Sequence, residues 1–286
     1  MQHVEFFHTE HFLTRYKRSK AAGSLVPFID FFWETDFDSL WDIYPNGFSD
    51  VLFPNTGYTY LINLGTPFVM QVGDHKFDMK ADGFLPRSQA IECYHQPGNK
   101  LFGIKFHISP VIFEKKINFS EYQSFIFPLS YLVDAGILDK IKKCNSFDER
   151  VALLTTYFTQ IIEQYSGSRR PIEIVSEILL HCSRNNDYLT SVETFAEKYK
   201  VSSRTLQRYF EMATGLSTKN ALQIMRIRKA TEHLTNDASS FHSKQYGYYD
   251  HSHFYKHLRK FLNKGTLKKL QPHLALLNKL HESKQA

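Results

Sequence analysis

The hydrophobic pattern of this chain changes period once, near residue 147. Up to about Pro110, Phe, Tyr, Val and Ile arrive in short runs broken by Gly, Pro, Asn and Asp, as in "DVLFPNTGYTYLINLG", "FVMQVGDHKFDM" and "LFGIKFHI". Apolar runs of this length, bounded by turn-forming residues, predict strands. Val72-Gly73-Asp74-His75 lies between two alternating segments and reads as a hairpin turn. From Phe147 the spacing becomes helical, with Phe147, Val151, Leu154, Phe158, Ile161 and Tyr165 on one face and Ser146-Phe147-Asp148-Glu149 as a capping box. The pattern predicts an α+β protein: a β-rich N-terminal domain, barrel or sandwich-like, followed by an all-α domain.

"YSGSRRP" interrupts the helical pattern and ends at Pro171, a residue suited to the first turn of the next helix. The expected organisation is a β-rich domain ending in helices over 1–165, a linker over 166–171 and a helical domain over 172–286. After Pro171 the chain reads as short helices. "PIEIVSEILLHCSRNN" places Ile174, Ile178 and Cys182 on one face and stops at its Asn pair. "TSVETFAEKY" opens with a capping box from Thr190 to Glu193 and turns Val192, Phe195, Ala196 and Tyr199 inward. A turn at Lys200-Val201-Ser202 leads into "SRTLQRYFEMATG", with Leu206 and Phe210 one turn apart and Gly215 as a left-handed stop. Two short helices joined by a tight turn, the second basic, have the shape of a helix-turn-helix unit.

The arrangement recurs at "GYYDHSHFYKHLRKF". Setting Leu206 on Phe254 puts Phe210 on Leu258, Arg208 on Lys256 and Gln207 on Tyr255; Asp250 stands where an N-cap belongs. Between the copies, "STKNALQIMRIRKATEHL" reads as a longer connecting helix with Ala221, Leu222, Met225, Ile227 and Leu234 among its apolar positions. Two such units on one connecting helix suit successive stretches of a DNA major groove.

Charge supports the division. From Arg169 onward there are 20 Lys+Arg against 10 Asp+Glu, and before it 15 against 19, out of totals of 35 and 29 in 286 residues. A basic module suited to a polyanion is thereby joined to a mildly acidic one. No apolar run reaches the length of a membrane helix, the start "MQHVEFFHTEHFL" has no signal-peptide pattern, and three scattered cysteines make no disulfide framework. The expectation is a cytoplasmic protein with no membrane partner.

Across residues 171–270 the chain resembles the AraC/XylS family of transcriptional regulators. The resemblance rests on "FAEKYKVSSRTLQRYFEMATGLS", "RIRKA" and "GYYDHSHFYKHLRKF". "YPNGFSDVLF" and "LFGIKFHISP" resemble, more loosely, a β-rich sensing domain that precedes such units in some Bacteroidetes-type regulators. The resemblance implies a non-enzymatic regulator that binds double-stranded DNA through two recognition helices. It also implies a small-molecule effector or dimer contact in the β-rich half, with a homodimer and RNA polymerase as further partners and no cofactor. Two departures bear on the second unit. "SSFHSKQY" has His242 and Ser243 where the family has an Ile-Ala pair, and Asn263-Lys264-Gly265-Thr266 replaces its Gly-x-Thr-Pro. A second unit with fewer apolar anchors is expected.

With Leu206 and Phe210 committed inward, the opposite face carries Arg204, Gln207 and Arg208, side chains able to grip guanine or adenine edges. The corresponding residues of the second helix are Ser252, Tyr255 and Lys256. Ser203, Arg226, Arg228, Lys229, His251, Arg259 and Lys260 are candidates for the phosphate backbone. His253 and His257 stand one turn apart but lack neighbouring metal ligands at a known spacing, as do His75, His95 and His107, so no metal site is expected. The phosphate-binding, serine-nucleophile and zinc-protease motifs are absent from the sequence. Phe31, Phe32, Trp33, Trp41, Tyr58, Tyr60, Phe84 and Phe102 fit a β-domain core better than a pocket lining. The competing reading is a cupin-like small-molecule binder or enzymatic barrel whose helical tail is an interaction module. Such a tail should present large apolar anchors where Arg204, Gln207 and Arg208 stand.

Overall fold

A computed structural model describes residues 11, 14–115, 117–122 and 125–262. The N-terminal half holds two antiparallel sheets. The larger has the order β1 (Lys17–Lys20), β2 (Ile29–Asp36), β9 (Lys100–Phe106), β4 (Thr59–Asn63), β7 (Gly83–Leu85) and β10 (Phe127–Pro128). The smaller runs β3 (Ser49–Leu52), β8 (Ile91–Tyr94), β5 (Phe68–Val72) and β6 (His75–Met79). The expected hairpin joins β5 to β6, with Val72 paired to His75 and Gly73 at φ 57°.

Strand alternation builds the sandwich. Phe31, Trp33, Leu61, Leu85 and Leu101 of the larger sheet share a core with Leu52, Phe68, Met70, Val72, Ile91 and Cys93 of the smaller. The intervening Phe32, Tyr60, Ile62, Phe84, Phe102, Ile104 and Phe106 belong to a second core on the other face of the larger sheet. Both faces of that sheet are therefore covered, which is why its strands read as nearly unbroken apolar runs. Of the aromatic residues expected in the core, all but the half-buried Trp41 are buried.

The helices α1 (Asp38–Ile43), α2 (Ala135–Lys143) and α3 (Phe147–Gln164) belong to the same half. α3 starts at its expected cap: Ser146 accepts from the Glu149 amide at 3.2 Å, and the Glu149 carboxylate accepts from Asn145 N at 2.9 Å. Its apolar face is the expected one, with Phe147, Leu154, Phe158 and Ile161 buried. Unforeseen is Arg150, which is buried and donates to Glu34 of β2 at 3.0 Å, tying α3 to the larger sheet. Glu34 also faces Lys17 at 3.8 Å and Lys100 at 3.5 Å, so its buried carboxylate gathers cations from β1, β9 and α3.

The C-terminal half is helical: α4 (Arg170–Asn185), α5 (Val192–Lys198), α6 (Ser203–Thr214), α7 (Thr218–Asn236) and α8 (His251–Phe261). α4 starts inside the segment expected as linker, with Pro171 in its first turn, and Asn186 closes it in the left-handed conformation at φ 52°. Ile174, Val175, Ile178 and Cys182 join the core that contains Phe28 and Phe106, and Ser176 donates to the Pro27 carbonyl at 2.6 Å. The two halves therefore share a core. α7 runs from this core, which takes Ala221, Leu222 and Ile224, into a separate one, which takes Ile227, Ala230 and Leu234. The second core also receives Val51, Phe53 and Ala90 from the β-rich half. The Asn263–Thr266 departure lies outside the described residues.

Candidate nucleic-acid interface

The first unit is α5, a tight turn and α6. Its capping starts one residue later than the sequence suggested: Ser191 accepts from Thr194 N at 3.1 Å, while the Thr190 hydroxyl donates to Asp187 at 2.7 Å. Asp187 competes for Thr190, so the cap passes to the next serine. Phe195 and Ala196 are buried, Lys200 takes the left-handed φ of 55°, and Ser202 caps α6 by accepting from Thr205 N at 3.1 Å. α6 then buries Leu206 and Phe210 completely, and Gly215 stops it at φ 72°.

The residues between those anchors form the outer face. Arg204, Gln207 and Arg208 are exposed, and together with Glu211 of the next turn and Lys219 of α7 they line an open groove. Gln207 donates its side-chain amide to Glu211 at 2.9 Å, so that contact has to be exchanged before the amide meets a base edge. Lys219 is a cation of this groove that sequence reasoning passed over; its signal was a lysine in the first turn after the Gly215 stop. Ser203 stands half-buried beside them.

The second unit is shorter. Where a first helix was expected there is one 3₁₀ turn, Ser243–Tyr246, ended by Gly247 at φ 68°. Asp250 caps α8 as expected, accepting from His253 N at 2.7 Å, and Phe254 and Leu258 are buried. His257 is buried with them and shares a 2.8 Å hydrogen bond with the Tyr248 hydroxyl. Burial, with Arg226, Lys260 and His253 nearby, pushes its pKa down to about 4, which holds the ring neutral. Ser252, Lys256, Arg259 and Lys260 are exposed. Tyr255 and His251 are half-buried, with the Arg259 guanidinium 5.3 Å from the Tyr255 ring centre.

One backbone candidate is misplaced. Arg228 is buried, and its guanidinium donates to the carbonyls of Phe53 at 3.2 Å and Pro54 at 3.3 Å in the β-rich half. It serves the junction of the halves and not an outer face. A contact across 175 positions leaves no local trace in the sequence. Its neighbours differ: Arg226 is half-buried over the Tyr248 ring at 4.7 Å, and Lys229 pairs with Glu232 at 3.3 Å. Among the described residues no three His, Cys, Asp or Glu side chains gather as a metal site, and no helix is long and apolar enough to cross a membrane.

An outward basic face on the second helix of a capped pair is what duplex recognition by such units requires. Residues 195–264 match the family model of a helix-turn-helix domain. The match begins in α5 and takes in α6, α7 and α8, while the sandwich and α4 lie outside it. No curated protein matches the chain in sequence. Among solved structures, ToxT from Vibrio cholerae is similar at 9% identity and a TM-score of 0.42, covering 75% of this chain and 89% of its own. The structure of unsaturated fatty acid-bound ToxT from the same organism gives 8% identity and 0.41, over 75% and 87%. The AraC-like transcriptional activator CuxR gives 9% and 0.31, over 78% and 89%. These TM-scores are too low to carry an argument about function. The helix-turn-helix domain itself rests on the sequence match and on the geometry of α5 to α8.

Proposed function

We propose that the protein is a sequence-specific DNA-binding transcription regulator of the AraC/XylS type, in which α6 enters the major groove. The observation that carries this reading is the outer face of α6: Arg204, Gln207 and Arg208 are exposed together while Leu206 and Phe210 are wholly buried. The interaction-module alternative calls for apolar anchors at those positions, and they are cations and an amide. Arg204 and Arg208 read guanine and Gln207 reads adenine, each good bidentate pair giving about 1–3 kcal/mol of discrimination. α8 is the second reading helix through Ser252, Tyr255 and Lys256. Ser203, Arg226, Lys229, His251, Arg259 and Lys260 take the phosphates. The β-rich half receives a signal or pairs two chains, and a dimer occupying two sites gains through effective concentration.

Selection of bound duplexes from a random pool across a salt series tests this reading. Wild type should enrich a defined site, and Arg204→Ala and Arg208→Ala should each lose preference at particular base pairs by about 1–3 kcal/mol. A variant that weakens all duplexes equally and lowers the salt slope by about one would mark a phosphate contact instead. Binding with no enriched site by wild type would refute sequence-specific reading.

A further inference from the structure

Each sheet ends on two edge strands, and these differ in what they offer a second chain. β1 carries Lys17, Arg18 and Lys20, so a second copy laid against it would set cation against cation. β10 is two residues long and includes Pro128. β3 is covered, with Asp50, Val51 and Leu52 buried and the Val51 amide donating to the Asp50 carboxylate at 2.7 Å. β6 is different. Among the described residues it pairs with β5 alone, and His75, Lys76 and Asp78 are exposed along it.

The hairpin register fixes which backbone groups point outward. Val72 and His75 close the two-residue turn, so His75, Phe77 and Met79 turn their amides and carbonyls toward β5. Those of Lys76 and Asp78 face away from the sheet. The Asp78 carbonyl accepts from Lys80 N at 3.0 Å and keeps a second lone pair. Side chains alternate: Phe77 and Met79 lean on the core between the sheets, while Lys76 and Asp78 stand on the opposite face. Beside the edge, Phe125 is 41% exposed, with its ring 6.3 Å from that of Phe77 and 4.9 Å from that of His75. An aromatic cluster thus flanks an open strand.

We infer that β6 is where two copies of this chain meet, pairing antiparallel about a two-fold axis at Phe77. The strand is self-complementary in that register. Lys76 falls opposite the partner's Asp78, and Asp78 opposite the partner's Lys76, which forms two cross-strand ion pairs on the outer face. The same residues hold the outward backbone groups, so each Lys76–Asp78 crossing also exchanges a pair of N–H···O bonds. Phe77 meets the partner's Phe77 on the inner face, beside Phe125. A slip of two residues either way sets Lys76 on Lys76 or Asp78 on Asp78, and like charges directly opposite exclude both. An edge of 5 residues buries less than the ~1,200 Å² at which standard interfaces begin, so the dimer is weak and concentration-dependent. Two chains on neighbouring DNA sites reach it through effective concentration. The inference rests on the reading that the β-rich half pairs two chains, and not on which bases α6 meets.

Sedimentation of the full chain without DNA, over a concentration series, tests it. Wild type should pass from monomer to dimer. Lys76→Asp sets aspartate against aspartate at both crossings and Asp78→Lys sets lysine against lysine, so each should raise the dissociation constant about tenfold or more. An equimolar mixture of the two variants should dimerise again, because the introduced aspartate then meets the introduced lysine and the remaining Lys76 meets the remaining Asp78. Both positions are exposed, and Asp78→Lys gives up only a surface contact with Lys80 at 2.9 Å, so both variants should fold. A monomer at every concentration would overturn the inference together with the dimer reading. A dimer indifferent to Lys76→Asp, or a mixture no more dimeric than either variant alone, would overturn the inference and leave the dimer reading standing.

Discussion

Replacing Phe53 by alanine should loosen the second unit before anything else in the molecule. Phe53 belongs to the β-rich half but is buried among Ile227, Ala230, Leu234, Phe241, Tyr248, Phe254 and Leu258. Among the described residues the sandwich's other contributions to this core are the smaller Val51 and Ala90. Truncating a buried phenylalanine costs about 3–5 kcal/mol, the transfer of the ring plus the cavity it leaves. The main-chain carbonyl survives the substitution, so the bonds it accepts from Arg228 at 3.2 Å and Arg87 at 2.8 Å can persist. The loss should therefore concentrate on side-chain packing around α8 and the Ser243–Tyr246 turn. Native-state hydrogen exchange resolves it: amides over 243–262 should lose about 3–5 kcal/mol of protection while those of β4 and β9 keep theirs. An equal fall over both regions would show that the second unit has no separable stability and would refute this account. Unchanged exchange would show that Phe53 does not anchor it.

Two further perturbations probe the sheet and the buried histidines. A Cβ on Gly103 would overlap the indole of Trp33 on the neighbouring strand, so Gly103→Ala should lose about 1–3 kcal/mol in a urea melt and shift the tryptophan emission; a neutral result would mean that the sheet has room. Stability should also fall as the pH drops from 6.5 toward 4. The folded protein holds His257 and His107 neutral with pKa values of about 4, while the unfolded chain takes up those protons near 6.5, so acid favours unfolding across that window. His257→Gln should flatten part of this dependence, leaving the share of His107, and a melt with an unaltered pH profile would count against neutral burial of the His257 ring.

Most of the helical half was legible because its signals are local. The Asp250 cap, the Gly215 stop and the i, i+4 spacing of Leu206 and Phe210 each act within a turn or two and stand where the sequence placed them, whereas the cap expected at Thr190 stands at Ser191. The two-layer arrangement of the β-rich half was less legible. Strands buried on both faces, such as β2 and β9, lose the alternation that would mark an inner and an outer side. Least legible were the side chains whose partners lie far along the chain. Arg228 looks like a surface cation in "RIRKA", Arg150 looks like a solvated helix residue, and Lys105 could be noticed as out of place but not assigned to Asp30. The outer face of α6 was readable from helical period alone, whereas the hold of Glu211 on Gln207 needed the rotamers.

The passage of α7 from one core to the other has a consequence for how such a protein can diverge. Ile224 closes the first core and Ile227 opens the second, so the angular phase between the two units is stored in a single turn of helix. One residue inserted there would rotate everything beyond it by about 100° and advance it by about 1.5 Å. Ile227, Ala230 and Leu234 would then leave the pocket that holds Phe254 and Leu258. A single insertion in that turn therefore breaks the fit of one core or the other, while substitutions on the outer faces of α6 and α8 leave both intact. Tolerated length changes should gather in loops that neither core depends on.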